Sequence, residues 1–259
     1  MDEQKVQAMS QAFLLQARGL NKQFGAVVAA SDLNISIRAG ERVSLIGSNG
    51  AGKTTFVNMI TGYVKADSGD ITFQGQAIQS FTPRQIMRLG VARSFQIPQL
   101  YPSLSVLDNM LVALACHDNR LSLWRTAHSS SAHERAEQVL SRFRLLDQRQ
   151  RRVAELPGGM RKLLDIALAM TGEPKLLLLD EPTSGVAAEE KFPMMDTVMQ
   201  ALNDQPLTTL FVEHDMDIVS RYCDRVIAFY SGRVIADDVP SVALAQPDVR
   251  RYVTGETHA

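Results

Sequence analysis

The chain has little cysteine for its length. Its 259 residues include only two cysteines, Cys116 and Cys223, which lie far apart and lack the spacing of metal ligands. A chain of this length buries enough surface to fold without covalent cross-links. The composition therefore argues against a disulfide framework or a cysteine-metal site, and we expect two buried or inert free thiols in a reducing compartment.

Long apolar runs are also missing. Runs such as residues 176–179 and 226–230 are far shorter than the roughly 20 residues that span a bilayer. The N-terminus, Met1-Asp2-Glu3, lacks a basic segment followed by an apolar stretch, so we expect no secretory signal. If this protein works at a membrane, another protein must cross it.

The chain carries almost no net charge. Its 27 basic and 28 acidic residues leave a net charge of -1, which gives no global electrostatic reason to bind DNA or RNA. We therefore expect no nucleic-acid partner, and any phosphate chemistry must be local. The 45% hydrophobic and 21% charged fractions are typical of a globular protein. At about 150 residues per domain, the length fits one large domain or two closely joined ones.

Short apolar stretches alternate with helix-period segments in the first and last thirds of the chain. Turn residues bound the predicted strands, at 13–17, 33–37, 43–46, 71–73, 175–180, 207–212 and 225–229. Apolar spacing predicts helices at 53–61, 104–115, 134–146, 189–202 and 216–222. The alternation predicts βαβ units and a largely parallel sheet, and the middle third predicts a helical subdomain.

A glycine-rich segment lies between the predicted strand at 43–46 and the predicted helix at 53–61. It reads Gly47-Ser48-Asn49-Gly50-Ala51-Gly52-Lys53-Thr54 and matches the P-loop pattern. Glycines let the backbone turn sharply and present N–H groups to phosphate oxygens, and the following helix adds the positive end of its dipole. The segment therefore predicts a phosphate-binding site.

Three side chains of this segment have predicted roles. Lys53 would contact the β- and γ-phosphates, and Thr54 would place its hydroxyl on Mg²⁺, with Thr55 as a weaker candidate. A glycine-rich structural turn is the alternative, but such a turn has no use for the Lys-Thr pair. The strand-loop-helix context thus favours nucleotide binding.

Two carboxylates follow a run of four leucines. Residues 176–179 suit a central parallel strand that is buried on both faces, and Asp180 and Glu181 come directly after them. We predict that Asp180 holds Mg²⁺ and that Glu181 acts as the general base on an attacking water. Paired acidic residues at a strand end are usually solvated turn residues, and the P-loop is what favours the catalytic interpretation.

With these motifs in their order, the chain resembles the ATP-binding cassette ATPases over nearly all of its length. Gln96 stands at the family's Q-loop, which senses the γ-phosphate and Mg²⁺. His214 occupies the position of the switch histidine, which contacts the γ-phosphate. Phe24 stands where the family has an aromatic that stacks on adenine, with a core aromatic as the alternative. The resemblance implies ATP and Mg²⁺ as cofactors.

The resemblance also implies the fold and the full set of site residues. The fold would be α/β: a P-loop NTPase core with a mostly parallel sheet, an N-terminal antiparallel β portion and a helical subdomain. We expect one domain over residues 11–256, with the helical subdomain inserted at about 97–170. The catalytic residues would be Glu181, His214, Lys53 and Gln96. The nucleotide-binding residues would be Phe24, the loop from Gly47 to Thr55, Gly158 and Gly159, and the metal ligands Thr54, Gln96 and Asp180.

The signature segment departs from the family pattern. It reads Leu156-Pro157-Gly158-Gly159-Met160, where the family usually has Ser after Leu and Gln after the two glycines. In the family, the signature of one cassette closes over the nucleotide on the P-loop of another. Pro157 removes a hydroxyl and a backbone N–H from that contact, although the glycines could still offer amides at a helix N-terminus. A simple helix-start turn is the alternative.

The loop after Glu181 departs as well. Ala187 stands where many members of the family have an Asp that communicates across the dimer. We hypothesise that the chain keeps a complete catalytic set of its own but presents a weakened surface to its partner. In a heterodimer, the two composite sites would then differ.

Several stretches resemble the branched-chain amino-acid branch of importer ATPases, namely residues 93–100 (RSFQIPQL), 104–109 (LSVLDN) and 212–216 (VEHDM). In that branch, ATPase subunits dock onto membrane-spanning permease subunits, and a separate solute-binding protein captures the solute. The resemblance implies an ATP-hydrolysing importer subunit for branched-chain or other hydrophobic amino acids, with a second ATPase subunit in a homo- or heterodimer. It would lie peripherally on the cytoplasmic face of the inner membrane, and residues 96–109 would receive the permease.

Four other functions compete with this one, and the sequence argues against the last three. Related importers handle urea, short amides or aromatic acids, and the solute never touches the ATPase. A soluble ABC ATPase of DNA repair or translation commonly has two cassettes or a long coiled-coil insertion, and this chain has one P-loop. A P-loop kinase has no reason to keep Gln96, the double glycine and His214 in this order. A non-hydrolysing binding module would need a broken Glu181 or Lys53.

Overall fold

The computed structural model describes residues 13–117, 129–203 and 207–255. The chain divides into two compact units, Met1–Val91 with Thr208–Ala259 and Ala92–Leu207. Among the described residues, no helix is long and apolar enough to cross a bilayer. The predicted single domain over 11–256, with its inserted helical subdomain at about 97–170, stays a prediction.

Strands and helices alternate along most of the described chain. The strands are β1 Phe13–Phe24, β2 Val27–Arg38, β3 Arg42–Gly47, β4 Ser68–Phe73, β5 Gln76–Ala77, β6 Val91–Ser94, β7 Leu176–Asp180, β8 Thr208–Val212, β9 Arg225–Tyr230 and β10 Arg233–Asp238. The helices are α1 Lys53–Ile60, α2 Pro83–Arg88, α3 Val106–His117, α4 Ser130–Arg142, α5 Gly158–Met170, α6 Ala188–Leu202, α7 Met216–Tyr222, α8 Pro240–Ala243 and α9 Pro247–Val249. A π-helical turn, Arg250–Thr254, follows α9.

An antiparallel sheet with the strand order β2-β1-β4-β5 belongs to the first unit. Buried residues face each other across β1 and β2, where Leu15 pairs with Ile37 and Ala17 with Ile35. Residues 14–17 of β1 are all buried, so both faces of the strand are covered there, and more exposed residues follow toward Phe24. The predicted N-terminal antiparallel β portion is confirmed, with strands longer than predicted because polar residues continue the backbone pairing.

A parallel arrangement forms the second sheet of the first unit. β3 pairs in parallel with β8 on one side and with β9 on the other, and β10 joins β9 in antiparallel register. Nearly every residue of β3, β8 and β9 is buried, as expected of parallel strands covered on both faces. Small side chains from α7 to α9 complete the packing on one of these faces, including Val219, Ala243 and Val249. The prediction of a mostly parallel sheet is confirmed.

In the second unit, the described residues form four α-helices, the strand β7 and all of β6 except its first residue. The helices α3, α4, α5 and α6 pack on one another, and α5 also packs on β7, all of whose residues are buried. The buried apolar residues of the helices recur at helical spacing: Met110, Leu114, Ala136, Leu140, Leu164, Met195 and Val198. The helices predicted from periodicity in the middle third are therefore present, α4 beginning and ending a turn earlier than predicted.

Besides the two-residue β5, two strands were not predicted, β6 and β10. β6 has only four residues, VARS, with no alternation of apolar and polar side chains. β10 lies at the edge of its sheet and ends in two aspartates, and its strand structure comes from its antiparallel pairing with β9. Both strands owe their structure to tertiary pairing rather than to a local pattern.

Cys223 is buried, as expected of one of the two thiols. Burial raises the pKa of its thiol to about 12, so the reactive thiolate is scarce at neutral pH. Cys116 is free and exposed near the end of α3. The two cysteines do not form a disulfide with each other.

Gly69 allows β4 to approach β1 closely. Its φ is +93°, and a Cβ there would lie 2.4 Å from the carbonyl oxygen of Gly19 and 2.6 Å from that of Arg18. Gly40 has a similar φ of +79° but open space around the corresponding position. Steric crowding therefore distinguishes two glycines whose backbone conformations are equally unfavourable for other residues.

We expect Gly69→Ala to destabilise the protein more than Gly40→Ala. Gly40→Ala should cost about 1 kcal/mol for its positive φ alone, whereas Gly69→Ala should cost about 1–3 kcal/mol more because backbone atoms must move. Urea unfolding of the two variants and the parent protein measures the difference. Equal losses of stability would contradict the close approach of β1 and β4.

Candidate nucleotide site

The predicted site residues are divided between the two units. The P-loop, Phe24 and His214 belong to the first unit. Gln96, Asp180, Glu181 and the signature glycines belong to the second unit. The geometry of each group follows from the strands and helices of its own unit.

Parallel pairing gathers three strand ends in the first unit. Leu45 of β3 pairs with Val212 of β8, and Gly47 of β3 pairs with Phe229 of β9. The carboxyl ends of parallel strands meet at one edge of a sheet, which is where ligands bind in open α/β folds. The P-loop, which follows β3, and His214, which follows β8, therefore leave the sheet at the same edge.

Two P-loop glycines are required by crowding from the backbone. A Cβ on Gly47, whose φ is +151°, would lie 2.5 Å from the carbonyl oxygen of Phe229. A Cβ on Gly52, whose φ is +111°, would lie 2.4 Å from the carbonyl oxygen of Ala29. Gly50 has a φ of +78° and nothing within 4 Å of the corresponding position. The loop is thus anchored at both ends and open at Gly50, next to the exposed Ser48 and Asn49.

Lys53 is a buried cation at the first position of α1. Its side chain is 5% exposed, and its Nζ donates to the carbonyl oxygens of Gly47, at 2.6 Å, and Ser48, at 3.1 Å. These contacts place the ammonium inside the curve of the loop. Thr54, the next residue, is exposed, and Thr55 is half-buried. α1 begins without a side-chain cap, so no side-chain oxygen occupies its N-terminus.

His214 lies in a turn that a buried glutamate organises. Glu213 is 3% exposed, and its Oε2 accepts hydrogen bonds from the backbone N–H groups of His214, at 3.0 Å, and Asp215, at 3.4 Å. Asp215 caps α7 by accepting from the N–H groups of Asp217 and Ile218. The histidine is exposed, and its backbone is fixed on both sides.

Phe24 is exposed rather than a core aromatic. It ends β1 and is 48% exposed, and the Nζ of Lys22 lies 5.1 Å from its ring centroid. The Nζ of Lys22 lies 2.6 Å from the Oδ1 of Asp67. This hydrogen bond, with a second one from the N–H of Gln23, lowers the pKa of Asp67. An open aromatic face beside a held ammonium suits a planar ligand.

In the second unit, Asp180 forms an ion pair with Arg93. The two side chains are 11% and 10% exposed, and the Nη2 of Arg93 lies 2.6 Å from the Oδ2 of Asp180. The guanidinium also lies over the ring of Phe95, 4.9 Å from its centroid. Asp180 ends the buried strand β7, as its sequence position predicted.

Gln96 and Glu181 are brought into direct contact. The Nε2 of Gln96 donates to the Oε2 of Glu181 at 2.7 Å. Glu181 has a φ of +45°, a left-handed conformation that is uncommon for a residue other than glycine. Strained backbone of this kind is concentrated at functional sites.

Lys162 and Asp165 were not predicted as site residues. Both lie on α5 and are buried, with exposures of 2% and 5%. Lys162 donates to the carbonyl oxygens of Phe95 and Gln96, and Asp165 accepts from the backbone N–H of Phe95. Burial raises the pKa of Asp165, while hydrogen bonds from Ser94 and the Gln99 N–H act in the opposite direction. The sequence signal that could have indicated them is a Lys and an Asp three residues apart, on one helix face, among apolar residues.

The signature glycines lie at the start of α5. Pro157 is the N-cap residue, no side chain caps the helix, and Gly158 is exposed. A Cβ on Gly158 or Gly159 would meet its nearest neighbours at 3.7 Å, which is ordinary contact, and neither residue has a positive φ. Local packing therefore does not require glycine here, although glycine costs about 1 kcal/mol in a helix.

Comparison with known proteins identifies the family. The model of the ABC transporter family matches residues 30–184. The LivG high-affinity branched-chain amino acid transport ATP-binding protein of Salmonella typhimurium is 35% identical over 94% of this chain and 98% of its own length. The probable LivG protein of Archaeoglobus fulgidus is 36% identical over 93% of this chain and 95% of its own length. The BraF protein of Pseudomonas aeruginosa is 32% identical over 94% of this chain and 98% of its own length.

Solved structures agree in fold. An ATP-binding cassette of an ABC transporter in its ADP conformation has a TM-score of 0.84 and 30% identity, covering 94% of this chain and 99% of its own. A nucleotide-free ATP-binding cassette has a TM-score of 0.81 and 29% identity, covering 92% and 97%. The chain therefore belongs to the ABC transporter family, as one of its ATP-binding cassettes with ATPase activity.

Proposed function

We propose that this chain is the ATP-hydrolysing subunit of an ABC importer for branched-chain or other hydrophobic amino acids. The names of the LivG and BraF relatives, each aligned over at least 93% of this chain, support the solute class. The contact between Gln96 and Glu181 at 2.7 Å is the observation that carries the hydrolytic role. Transport of urea, short amides or aromatic acids is the competing function.

Lys53 and the P-loop amides would bind the phosphates. The ammonium already lies among loop carbonyls in a buried position, so little reorganisation separates it from a β- or γ-phosphate oxygen. A phosphate would replace neutral carbonyl acceptors by a charged one, which makes stronger hydrogen bonds. The exposed residues Ser48, Asn49 and Gly50 leave the loop accessible to the ligand. Phe24 would stack on the adenine.

Glu181 would activate the attacking water. Its carboxylate is oriented by the Nε2 of Gln96, and an oriented carboxylate can accept a proton from water as it attacks the γ-phosphorus. His214, whose backbone N–H donates to Glu213, would contact the γ-phosphate. The protein's contribution is thus mainly positioning and electrostatic stabilisation, as in other phosphoryl-transfer enzymes.

The proposed metal ligands fit Mg²⁺ by their chemistry. Thr54, Gln96 and Asp180 supply a hydroxyl, an amide oxygen and a carboxylate, and Mg²⁺ prefers oxygen ligands. Gln96 uses Nε2 toward Glu181, which leaves its Oε1 as an acceptor, and Arg93 binds only the Oδ2 of Asp180 among the hydrogen bonds described for that carboxylate. Bound Mg²⁺ would neutralise charge on the β- and γ-phosphates.

The partners follow from the same assignment. We expect two membrane-spanning permease subunits, a second ATPase subunit, and a solute-binding protein that delivers the solute, with this chain peripheral on the cytoplasmic face of the inner membrane. Ile97, which is 74% exposed, and Tyr101, which is 56% exposed, lie in the segment expected to receive the permease. Exposed apolar side chains of this size suit a protein-protein contact. The net charge of -1 agrees with a function without nucleic acid.

The solute is tested by reconstitution. We expect vesicles that contain the permease subunits, both ATPase subunits and the solute-binding protein to take up labelled leucine when ATP is supplied on the side of this chain. Urea, a short amide and phenylalanine, tested in parallel, should enter more slowly. Faster uptake of one of these competitors would favour the competing function.

The catalytic base is tested by Glu181→Gln. Amide cannot accept the proton, so we expect kcat of the assembled complex to fall by about 10²–10⁴-fold while ATP binding persists and a closed, ATP-bound dimer accumulates. Size-exclusion chromatography with ATP detects that dimer. Glu134→Gln, at an exposed position of α4, is the control and should keep parental activity. Hydrolysis at the parental rate by the Glu181→Gln variant would refute the assignment.

The departures at Pro157 and Ala187 support unequal composite sites in a heterodimer. Both residues are N-cap positions, of α5 and α6, and neither helix has a side-chain cap. Pro157 lacks both a hydroxyl and an N–H, and Ala187 lacks the carboxylate that many relatives have. The chain would then keep its own hydrolytic residues while offering a partner's nucleotide fewer donors.

We expect Pro157→Ser to raise the ATPase rate or the nucleotide affinity of the assembled complex. The serine would also cap α5 and stabilise the protein by about 0.5–2 kcal/mol. Val239→Ser, at the uncapped N-cap of α8, separates the two effects because it should raise stability alone. An unchanged rate and affinity for Pro157→Ser would count against the weakened surface.

A further inference from the structure

Lys162 connects two separate chain segments through backbone carbonyls. Its Nζ donates to the carbonyl oxygens of Phe95 at 2.8 Å, Gln96 at 3.0 Å and Asp180 at 3.3 Å. An ammonium has three N–H donors, so one side chain can serve all three carbonyls. Phe95 directly precedes Gln96, and Asp180 directly precedes Glu181. Lys162 therefore fixes the backbone from which both of those side chains extend.

Asp165 accepts hydrogen bonds from the O–H and N–H groups of the same segment. Its Oδ2 accepts from the hydroxyl of Ser94 at 2.6 Å and from the N–H of Phe95 at 3.1 Å, and its Oδ1 accepts from the N–H of Gln99 at 3.1 Å. The two side chains are three residues apart and therefore share one face of α5. Together they hold residues 94–99 by both carbonyl and amide groups, on either side of Gln96.

Stability alone gives a weak reason for these charges. Lys162 and Asp165 are 2% and 5% exposed, and burying charged groups costs free energy that their hydrogen bonds repay only in part. Apolar residues of similar size would often stabilise a helix-loop contact equally well. Orientation of a backbone segment, by contrast, requires polar groups at fixed positions, because apolar contacts do not select the direction of a carbonyl or an N–H.

We propose that Lys162 and Asp165 are positioning residues that latch the Gln96 segment onto α5 and thereby hold Gln96 against Glu181. The proposal rests on the proposed function of Gln96 and Glu181 in hydrolysis. Neither latch residue contacts substrate. Because α5 also begins with Gly158 and Gly159, the latch makes the Gln96 segment and the signature glycines parts of one framework within the second unit.

The latch is tested in the assembled complex with Lys162→Met and Asp165→Asn. We expect kcat to fall by about 10–100-fold, the range typical of residues that orient an active-site ligand, while the KM for ATP changes little because the P-loop is untouched. Lys162→Arg keeps the cation and should recover most of kcat. Lys175→Met, which removes an exposed cation just before β7, is the matched control and should keep parental kcat.

A double variant separates positioning from general structural damage. Asp165 acts through residues around Gln96, so Asp165→Asn should lower kcat by less than about 2-fold in a Gln96→Ala background. An equal loss in the parental and Gln96→Ala backgrounds would overturn the proposal. Parental kcat in both Lys162→Met and Asp165→Asn would also overturn it.

Folding is monitored by circular dichroism and thermal unfolding. If Lys162→Met or Asp165→Asn does not fold, Asp165→Glu decides, because it keeps the charge but displaces the carboxylate oxygens. Lower kcat at unchanged KM for ATP in Asp165→Glu would support the latch, and parental kcat would overturn it. Parental activity of Gln96→Ala and Glu181→Gln would instead refute the proposed function, a result distinct from failure of the latch alone.

Discussion

The parallel pairing of β3 with β8 and β9 is the constraint on which the first half of the site depends. The strand register fixes where each strand ends. The residues with proposed roles follow these ends: the P-loop follows β3, and Glu213 and His214 follow β8. The P-loop itself has no freedom at either end, because Phe229 and Ala29 crowd Gly47 and Gly52 with backbone carbonyls. Side chains could be exchanged without loss of the sheet, but the positions of the loop and the histidine could not change unless the strand register changed with them.

Buried charge is concentrated around the proposed site residues in both units. Lys53, Glu213, Lys162, Asp165 and Asp180 are each at most 8% exposed as whole residues, and each has hydrogen bonds to backbone or to an opposite charge. Groups of this kind are rarely buried unless paired, and pairing seldom returns the full cost of desolvation. Their concentration around the strand ends and the Gln96 segment therefore reflects a requirement for oriented dipoles and charges rather than for stability. Preorganised charge is also what phosphoryl transfer needs from a protein, since the substrate supplies most of the reacting atoms.

The site residues that the sequence predicts differ in kind from the buried polar residues that only the structure reveals. Lys53, Asp180 and Glu181 belong to short motifs whose spacing follows from the covalent geometry of a strand, a loop and a helix, so one stretch of sequence suffices to predict them. Lys162 and Asp165 serve a segment about 70 residues away in the chain, and only tertiary structure reveals that partner. Arg93 is a similar case, because its partner Asp180 lies on a strand far along the sequence. The same distinction holds for the strands. The apolar cores of β1 and β3 were predictable from the sequence pattern, while β6 and β10 depend on the strands that pair with them.

The start of α5 explains why that helix needs its latch. It has no side-chain cap, its N-cap is Pro157, and its first two residues are glycines that cost about 1 kcal/mol each in a helix. Local interactions therefore favour fraying at the end where the signature glycines lie. Lys162 and Asp165 follow within the next two turns and bind backbone of the Gln96 segment, so tertiary hydrogen bonds replace the missing local ones. The glycines can then stay open to a ligand without the helix losing its position, and that position is tied to the segment that holds Gln96 against Glu181.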